Sequence, residues 1–600
     1  MFEKVLSYTG SYKKYTYAAA ALMLLGVAAS VLPFLFIYQI IEPLLDAGHP
    51  ALAAGDLIWR VAAIAMCGVL YAVLYVKGLG LSHESAYHTL KNIRVSLQGK
   101  LEPQPLGTIQ GHGSGALKQM FIDDIESVEL LLAHALPEGI ANLAVPVFIY
   151  IAMFLVDWKL ALLSLCSLPL GLLATGAMYI GGMSKMGQYF ESGQKMNNTI
   201  VEYINGMEVV KVFNRDGESY KRFETDVKNY RDFTLDWYKA SWPWMALYTT
   251  VLPCAAMAAL PLGAFFVIQG YSTLADLVLI LCMGFGIGAP LIKAVSFMST
   301  MPQLNYKISA LEEMMSAPPL RQSARSFEGR DHSISFQNVR FTYKANSGAA
   351  GIQDPLEGKQ DEVLHGVSLE IPEGGLTALV GESGSGKSTL AKLLVHFYDV
   401  DSGSIRLGGQ DLCDMSVEAL NNEISYVAQE QFLFNMSLLE NIRLGRPDAS
   451  DEEVMAAAIK AQCSEFLARL PLGLYSMAGD SGKMLSGGER QRISLARAIL
   501  KNAPVVVLDE ATAFMDPENE EKMNQAIAEV IREKTVIVIA HRLHSIVNAD
   551  QICVLAEGRV AACGTHKELL AQSSDYQRLW AAAEGSAQWK VTAEKGGKTL

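Results

Sequence analysis

Gly381-Glu382-Ser383-Gly384-Ser385-Gly386-Lys387-Ser388-Thr389 fits the pattern G-x-x-x-x-G-K-[ST], a phosphate-binding P-loop. It follows an apolar run, Leu376–Val380, and precedes a helix-like run, Leu390–Leu394. Strand, loop and helix in that order are the setting the motif needs. Its glycines let backbone N–H groups approach phosphate oxygens. The N-terminus of the following helix adds partial positive charge. Lys387 is placed to reach β- and γ-phosphates, and Ser388 to ligate Mg²⁺. By itself the loop implies a bound nucleotide and no particular use for it.

Six hundred residues exceed what one hydrophobic core holds, so several domains are expected. Half of the residues are hydrophobic and only 18% are charged, which points to a membrane protein. A net charge of −13 argues against nucleic acid as a partner, since phosphate backbones need basic patches. The eight cysteines are scattered without a C-x-x-C pair, and are expected to be buried and reduced. Met1–Lys14 is polar, and the apolar run beginning near Tyr15 is too long for a cleaved leader.

The apolar excess lies in the first half. Six segments, approximately 15–44, 57–82, 133–156, 159–182, 243–269 and 273–300, are each long enough for a membrane-crossing helix of about 20 residues. Val156–Lys159 and Gly270–Thr273 are short turns between consecutive spans. Lys4, Lys13, Lys14, Lys91, Arg94, Lys100 and Lys118 lie before the first span or between the second and third, whereas Asp46–Asp56 has no Lys or Arg. The positive-inside rule therefore places the N-terminus and the long loops, roughly 83–132 and 183–242, in the cytoplasm. Those loops are helix-prone and read as extensions of the membrane helices. Within the spans, Gln39, Glu42 and Lys293 are the polar candidates for a substrate pathway, with interfacial placement and snorkelling as the plainer readings of the last two. Pro169, Pro253 and Pro261 are positioned to kink their helices.

Pro318-Pro319 and the polar run Arg321–Arg330 mark a boundary, after which α/β signals begin at Ser333 and continue to about Leu579. The expected organisation is a membrane domain over 1–320, a nucleotide domain over 328–583 and a frayed tail over 584–600. Further motifs follow the P-loop. Val505–Asp509 is a buried-strand run that ends in Asp509-Glu510. A strand-end Asp509 can hold Mg²⁺, and Glu510 is placed to polarise attacking water. Leu485-Ser486-Gly487-Gly488-Glu489 opens a helix and offers a second anion site. Gln429 and His541 each follow a strand-like run, and Asp516 lies shortly after Glu510. Each motif alone is weak; a lone strand-end acid or histidine is usually structural. Their order and spacing are the specific signal.

Taken together, the chain resembles an ATP-binding-cassette (ABC) half-transporter of the exporter-type fold, over about residues 10–580. The fold implied is a membrane α-helical bundle of six transmembrane helices with long cytoplasmic extensions, fused to an α/β P-loop domain. The resemblance implies ATP and Mg²⁺ as ligands and a multi-pass place in the bacterial cytoplasmic membrane, with the nucleotide domain cytoplasmic. By motif, Tyr343 would be the aromatic that stacks on adenine, Gly381–Thr389 Walker A and Leu485–Glu489 the signature. Ser388, Gln429 and Asp509 would hold Mg²⁺; Glu510 would be the catalytic carboxylate, with His541 and Gln429 beside the γ-phosphate and Asp516 at the subunit boundary. Gly111–Lys118 and Phe213–Glu218 fall where the fold places its coupling helices. In this family ATP lies between one subunit's P-loop and the other's signature, so a dimer is implied.

Some residues depart from the commoner pattern. Glu489 stands where Gln is usual, and Ala511-Thr-Ala-Phe-Met-Asp516 where exporters usually read Ala-Thr-Ser-Ala-Leu-Asp. The stretch Ala511–Glu520 together with LSGGE is similar to siderophore transporters of the yersiniabactin and mycobactin type, which import and whose two subunits usually differ. Three functions are thereby expected to compete: inward pumping of a metal-siderophore or similar chelate, export or flipping of a lipid, drug or peptide, and an ATP-gated channel or regulator. A heterodimer is favoured over a homodimer.

Overall fold

The computed structural model describes residues 2–45, 53–212, 216–254, 256–343, 362–509, 525–540 and 542–587. The chain divides into two compact units. Of the described residues, the first takes in those of Met1–Glu102 and His112–Ala317; the second takes in Pro103–Gly111 and those from Pro318 onward.

The first unit is helical throughout. Its longest helices are Lys13–Leu45, Ala54–Leu101, Pro137–Val156, Ser167–Asn205, Asp216–Val251 and Gly288–Ser316. Among the described residues, five helical stretches are long and apolar enough to cross a membrane, and Met257–Ile268 is a shorter apolar helix. A helix satisfies its own N–H and C=O groups, which lipid cannot do. Ala54–Leu101 and Asp216–Val251 run on far beyond their apolar parts.

The fifth apolar segment is not one helix. Asp216–Val251 ends just before Pro253, and a new helix starts at Ala256. The sixth is also interrupted, between Leu274–Phe285 and Gly288–Ser316. The two interruptions pack together: a Cβ built on Gly288 would lie 2.3 Å from the Pro253 Cβ. Proline removes a helical donor and clashes with the preceding turn. A neighbouring residue without a side chain lets the broken strand of backbone come close.

The two short turns are joined. Asp157 caps helix Trp158–Leu165 by accepting from the Lys159 and Leu160 amides at 2.8 and 3.3 Å. Its other oxygen accepts from Ser272 Oγ at 2.5 Å. Lys159 Nζ donates to the Tyr271 carbonyl at 2.7 Å. Thr273 and Asp276 form a capping box on the next helix.

The second unit holds two sheets among the described residues. The antiparallel one has the order β2-β1-β4-β5, with β1 Ile334–Phe341, β2 Leu364–Ile371, β4 Ser402–Leu407 and β5 Gln410–Asp411. The other has the order β10-β9-β3-β8-β7-β6, with β3 Leu376–Gly381, β6 Ile424–Val427, β7 Val505–Asp509, β8 Thr535–Ile539, β9 Gln551–Ala556 and β10 Arg559–Gly564. All its pairings are parallel except β9 with β10. Every residue of β7 is buried, as expected of a strand covered on both faces. Ligands of such sheets bind beyond the C-terminal strand ends, where β3 and β7 deliver the P-loop and Asp509.

The expectation that the cysteines are buried is corrected. All eight are free, but Cys166, Cys282 and Cys563 are exposed, and only Cys463 and Cys553 are fully buried. Cys553 and Cys563 face each other across β9 and β10, Sγ to Sγ 2.8 Å.

Candidate nucleotide site

The P-loop runs from β3 into helix Lys387–Leu394. Gly384 and Gly386 sit at φ +85° and +98°, the left-handed region that glycine enters at little cost. Gly386 is also tightly enclosed, since a Cβ there would come within 2.6 Å of Leu364 Cδ2. The backbone at Gly384 and Gly386 thus takes a path that most side chains disfavour, and at Gly386 a Cβ would also be blocked.

Lys387 is 5% exposed, and its Nζ donates to the carbonyls of Gly381 and Glu382 at 3.0 and 2.8 Å and to Ser385 Oγ at 3.4 Å. The ammonium is thus held at the loop by oxygen atoms, in place to meet phosphate. Ser388 Oγ donates to Asp509 Oδ1 at 3.0 Å. Tyr426 OH, on β6, donates to Asp509 Oδ2 at 3.1 Å. Burial, with Asp509 next to it, pushes the Tyr426 phenol well above its usual pKa, so it remains a donor. Asp509 is 2% exposed and brings a hard-oxygen ligand to the Ser388 hydroxyl. That donor pair suits Mg²⁺.

Tyr343 follows β1, and its hydroxyl lies 3.0 Å from Thr389 Oγ1. Its ring meets Phe341 and Tyr398 edge-on at 4.8 and 5.4 Å. Gln429 lies just past the end of β6, the strand beside β7. Glu510, Asp516 and His541 lie outside the described residues.

Ser486 begins helix Gly487–Lys501 through a full capping box. Its hydroxyl accepts from the Glu489 amide at 3.3 Å, and Glu489 Oε2 accepts from the Ser486 amide at 2.8 Å. Glu489 Oε1 also accepts from Arg469 Nη2 at 3.0 Å. The Glu489 that departs from the commoner Gln is therefore the carboxylate that caps this helix. The spacing Ser486-x-x-Glu489 is itself a capping-box signature.

Of the region around the expected Gly111–Lys118, the segment Pro103–Gly111 belongs to the nucleotide unit and is docked within it. It begins at Pro103: the Leu106 amide donates to the Phe397 carbonyl at 2.9 Å, and the Leu320 amide to the Pro103 carbonyl at 2.8 Å. Gly107 lies against Tyr398, where a Cβ would come within 2.6 Å of the ring. Helix Leu106–Gln119 then breaks at Gly113, φ +71°. Phe213–Glu218 lies in part outside the described residues.

In the helical unit, Tyr38 OH donates to Asp276 Oδ1 at 2.6 Å, with Glu42 Oε1 3.3 Å away. Lys293 is exposed. The sequence pattern missed a second ionisable group, in which His83 Nδ1 lies 3.2 Å from Glu129 and His134 Nδ1 2.8 Å from Glu138. The two imidazoles meet at 4.9 Å. His134 sits on a π-helical turn, Leu130–Ala135, a wide geometry often found at functional sites.

Two family models match: the ABC transporter transmembrane region over residues 16–287 and the ABC transporter domain over 364–513. The ATP-dependent lipid A-core flippase of Chromobacterium violaceum is 30% identical over 590 residues, 96% of each chain. The chain is an ABC transporter. The mycobactin import ATP-binding/permease protein IrtA of Mycolicibacterium smegmatis is 34% identical over 91% of the transporter. That of Mycobacterium tuberculosis is 36% identical over 84%. The transporter spans only 62% and 57% of the length of these two relatives. The structure of a bacterial Atm1-family ABC exporter with ATP bound overlays with a TM-score of 0.76 at 25% identity, covering 97% of the transporter and 99% of that chain. A multi-pass membrane domain joined to a P-loop ATP-binding-cassette domain is thereby the architecture of this chain.

Proposed function

We propose that the transporter couples ATP hydrolysis to alternating access and carries a metal-siderophore or similar chelate into the cell, as one half of a two-subunit assembly. The observation that supports this reading is likeness to mycobactin importers along most of the chain, at 34% and 36% identity. The nucleotide site supports the ATP-driven part. Ser388 of the P-loop, Tyr426 and Asp509 already share one hydrogen-bonded cluster, and Lys387 is held against the same loop. Ser388, Asp509 and Gln429 would hold Mg²⁺, which when bound neutralises phosphate charge.

Within this reading the chain's own groups have distinct tasks. The P-loop amides and Lys387 bind the phosphates. Tyr343 stacks on the adenine. Glu510 accepts a proton from the attacking water, and His541 contacts the γ-phosphate. One chain carries one P-loop and one signature, so its Ser486-to-Glu489 segment completes the site of a partner, and a different second half-transporter is favoured over a copy. ATP drives the switch only to the extent that it binds the closed state more tightly than the open one.

A second reading is export or flipping of a lipid, drug or peptide. It is favoured by the lipid A-core flippase, which the transporter matches over 96% of its length. Glu510→Gln tests what the two readings share. The variant assembly is expected to bind ATP and lose turnover; full ATPase activity would overturn the assignment of Glu510.

A further inference from the structure

Helix Lys387–Leu394 ends in an unusual turn. His396 takes a left-handed backbone, φ +55°, although it is not glycine. Such strain persists only where surrounding structure enforces it, and it collects at functional positions. The turn carries His396 inward, to 7% exposure, and brings its Nε2 to 3.1 Å from Asp399 Oδ1. A third group arrives from elsewhere. The short turn Leu412–Asp414, capped by Asp411, delivers Cys413. One ligand atom from each of His396, Asp399 and Cys413 lies within 4.8 Å of the other two.

We propose that His396, Asp399 and Cys413 bind one divalent, borderline-soft metal ion of the Zn²⁺ class. Imidazole nitrogen, carboxylate oxygen and thiolate sulfur are the three donor types that such an ion takes, at about 2.0–2.3 Å each in a tetrahedral shell. His396 Nε2 and Asp399 Oδ1, 3.1 Å apart, already have about the spacing of neighbouring ligands in that shell, and the third atom, within 4.8 Å, need approach by no more than about an ångström and a half. A cavity of about 310 Å³ is lined by all three residues and leaves room for water at a fourth position. A His396–Asp399 ion pair and a Cys413 thiol hydrogen-bonded to Asp411 would account for the groups separately, but neither explains why nitrogen, carboxylate and sulfur converge on one cavity.

The site would fasten together three separate pieces of the nucleotide unit. Asp399 accepts from the Arg321 amide at 3.1 and 3.3 Å, which ties in the linker. Between His396 and Asp399 lie Phe397 and Tyr398, the residues that receive Leu106 and Gly107. An ion bound there fixes the seat of the docked segment, and this holds whichever direction the transporter works.

The test uses the full-length transporter in detergent, metal-free, titrated with Co²⁺ as the spectroscopic probe. One equivalent per chain is expected to give a thiolate-to-Co²⁺ absorption band together with tetrahedral ligand-field bands. Cys413→Ser should abolish the thiolate band. His396→Asn, which tolerates the left-handed backbone, and Asp399→Asn should each weaken binding by at least about tenfold. Cys553→Ser should change nothing, which separates this site from the Cys553–Cys563 pair. Retained nucleotide binding shows that the variants are folded. Absence of the band in the wild type, its survival in Cys413→Ser, or its loss in Cys553→Ser would each overturn the proposal.

Discussion

Ser388 Oγ donates to Asp509 Oδ1 across 3.0 Å, linking the P-loop that follows β3 to the end of β7. Between these strands lies β8, so the bond spans the sheet's C-terminal edge. Asp509→Asn keeps the shape and removes the charge. It is expected to lower ATP turnover by at least about a hundredfold, the scale seen when a charge-stabilising group is lost from an active site. Tyr426→Phe removes only the second hydrogen bond to Asp509 and should cost a few-fold to about tenfold. Steady-state phosphate release by the assembled transporter measures both. Equal effects would mean that Tyr426 does more than position the carboxylate.

The signature residue Glu489 invites a different substitution. Glu489→Gln preserves a capping-box partner for Ser486 but breaks the ion pair with the exposed Arg469. Exposed pairs contribute about 0–1 kcal/mol, so the melting temperature should move little. Ser486→Ala removes the cap hydroxyl and should cost about 1 kcal/mol. Thermal melting of the two variants is expected to rank them in that order.

Capping also sets an acid limit. The Glu453 and Glu568 carboxylates are held below their usual pKa of 4.5, chiefly by the backbone amides of Ser450 and Thr565. A carboxylate lowered in the folded state adds stability above its unfolded pKa, and loses it as pH falls through the folded value. Stability should therefore decline below about pH 4.5. Glu568→Gln caps without titrating, so its melting temperature should depend less on pH across that window. An unchanged slope would remove Glu568 from the explanation.

Pro253 and Gly288 make the helical unit sensitive to one methyl group. Gly288→Ala would put a Cβ 2.3 Å from Pro253 Cβ and 2.7 Å from its Cα, which is backbone and cannot swing aside. Overpacking of this kind costs about 1–3 kcal/mol. The variant should melt earlier in detergent while its nucleotide binding is unchanged. Wild-type melting would show that the two helix breaks can separate freely.

Much of this was legible in the sequence because the chemistry is local. The P-loop, Ser388 and Asp509 stand at strand ends, where buried apolar runs stop and polar residues begin, and the structure brings them together. The helix breaks were not legible. Residues 243–269 form one apolar run by hydropathy, and a proline inside such a run can kink a helix or end it. The residue packed against the break at Pro253 is Gly288, far along the chain, a contact no local pattern reveals. The His83, Glu129, His134 and Glu138 group escaped notice because its members straddle the ends of apolar windows. Glu489 appeared only as a departure, although its spacing from Ser486 already described a cap.

Direction of transport is the most direct test of the proposed function. The transporter, with its second half-transporter, is placed in sealed vesicles with nucleotide domains outward. The vesicles are preloaded with a labelled ferric siderophore, and a lipophilic dye is supplied outside. ATP should drive the chelate out of the lumen, the inward direction in a cell, and leave the dye where it is. ATP-driven accumulation of the dye in the lumen, with the chelate unmoved, would contradict import and favour the exporter.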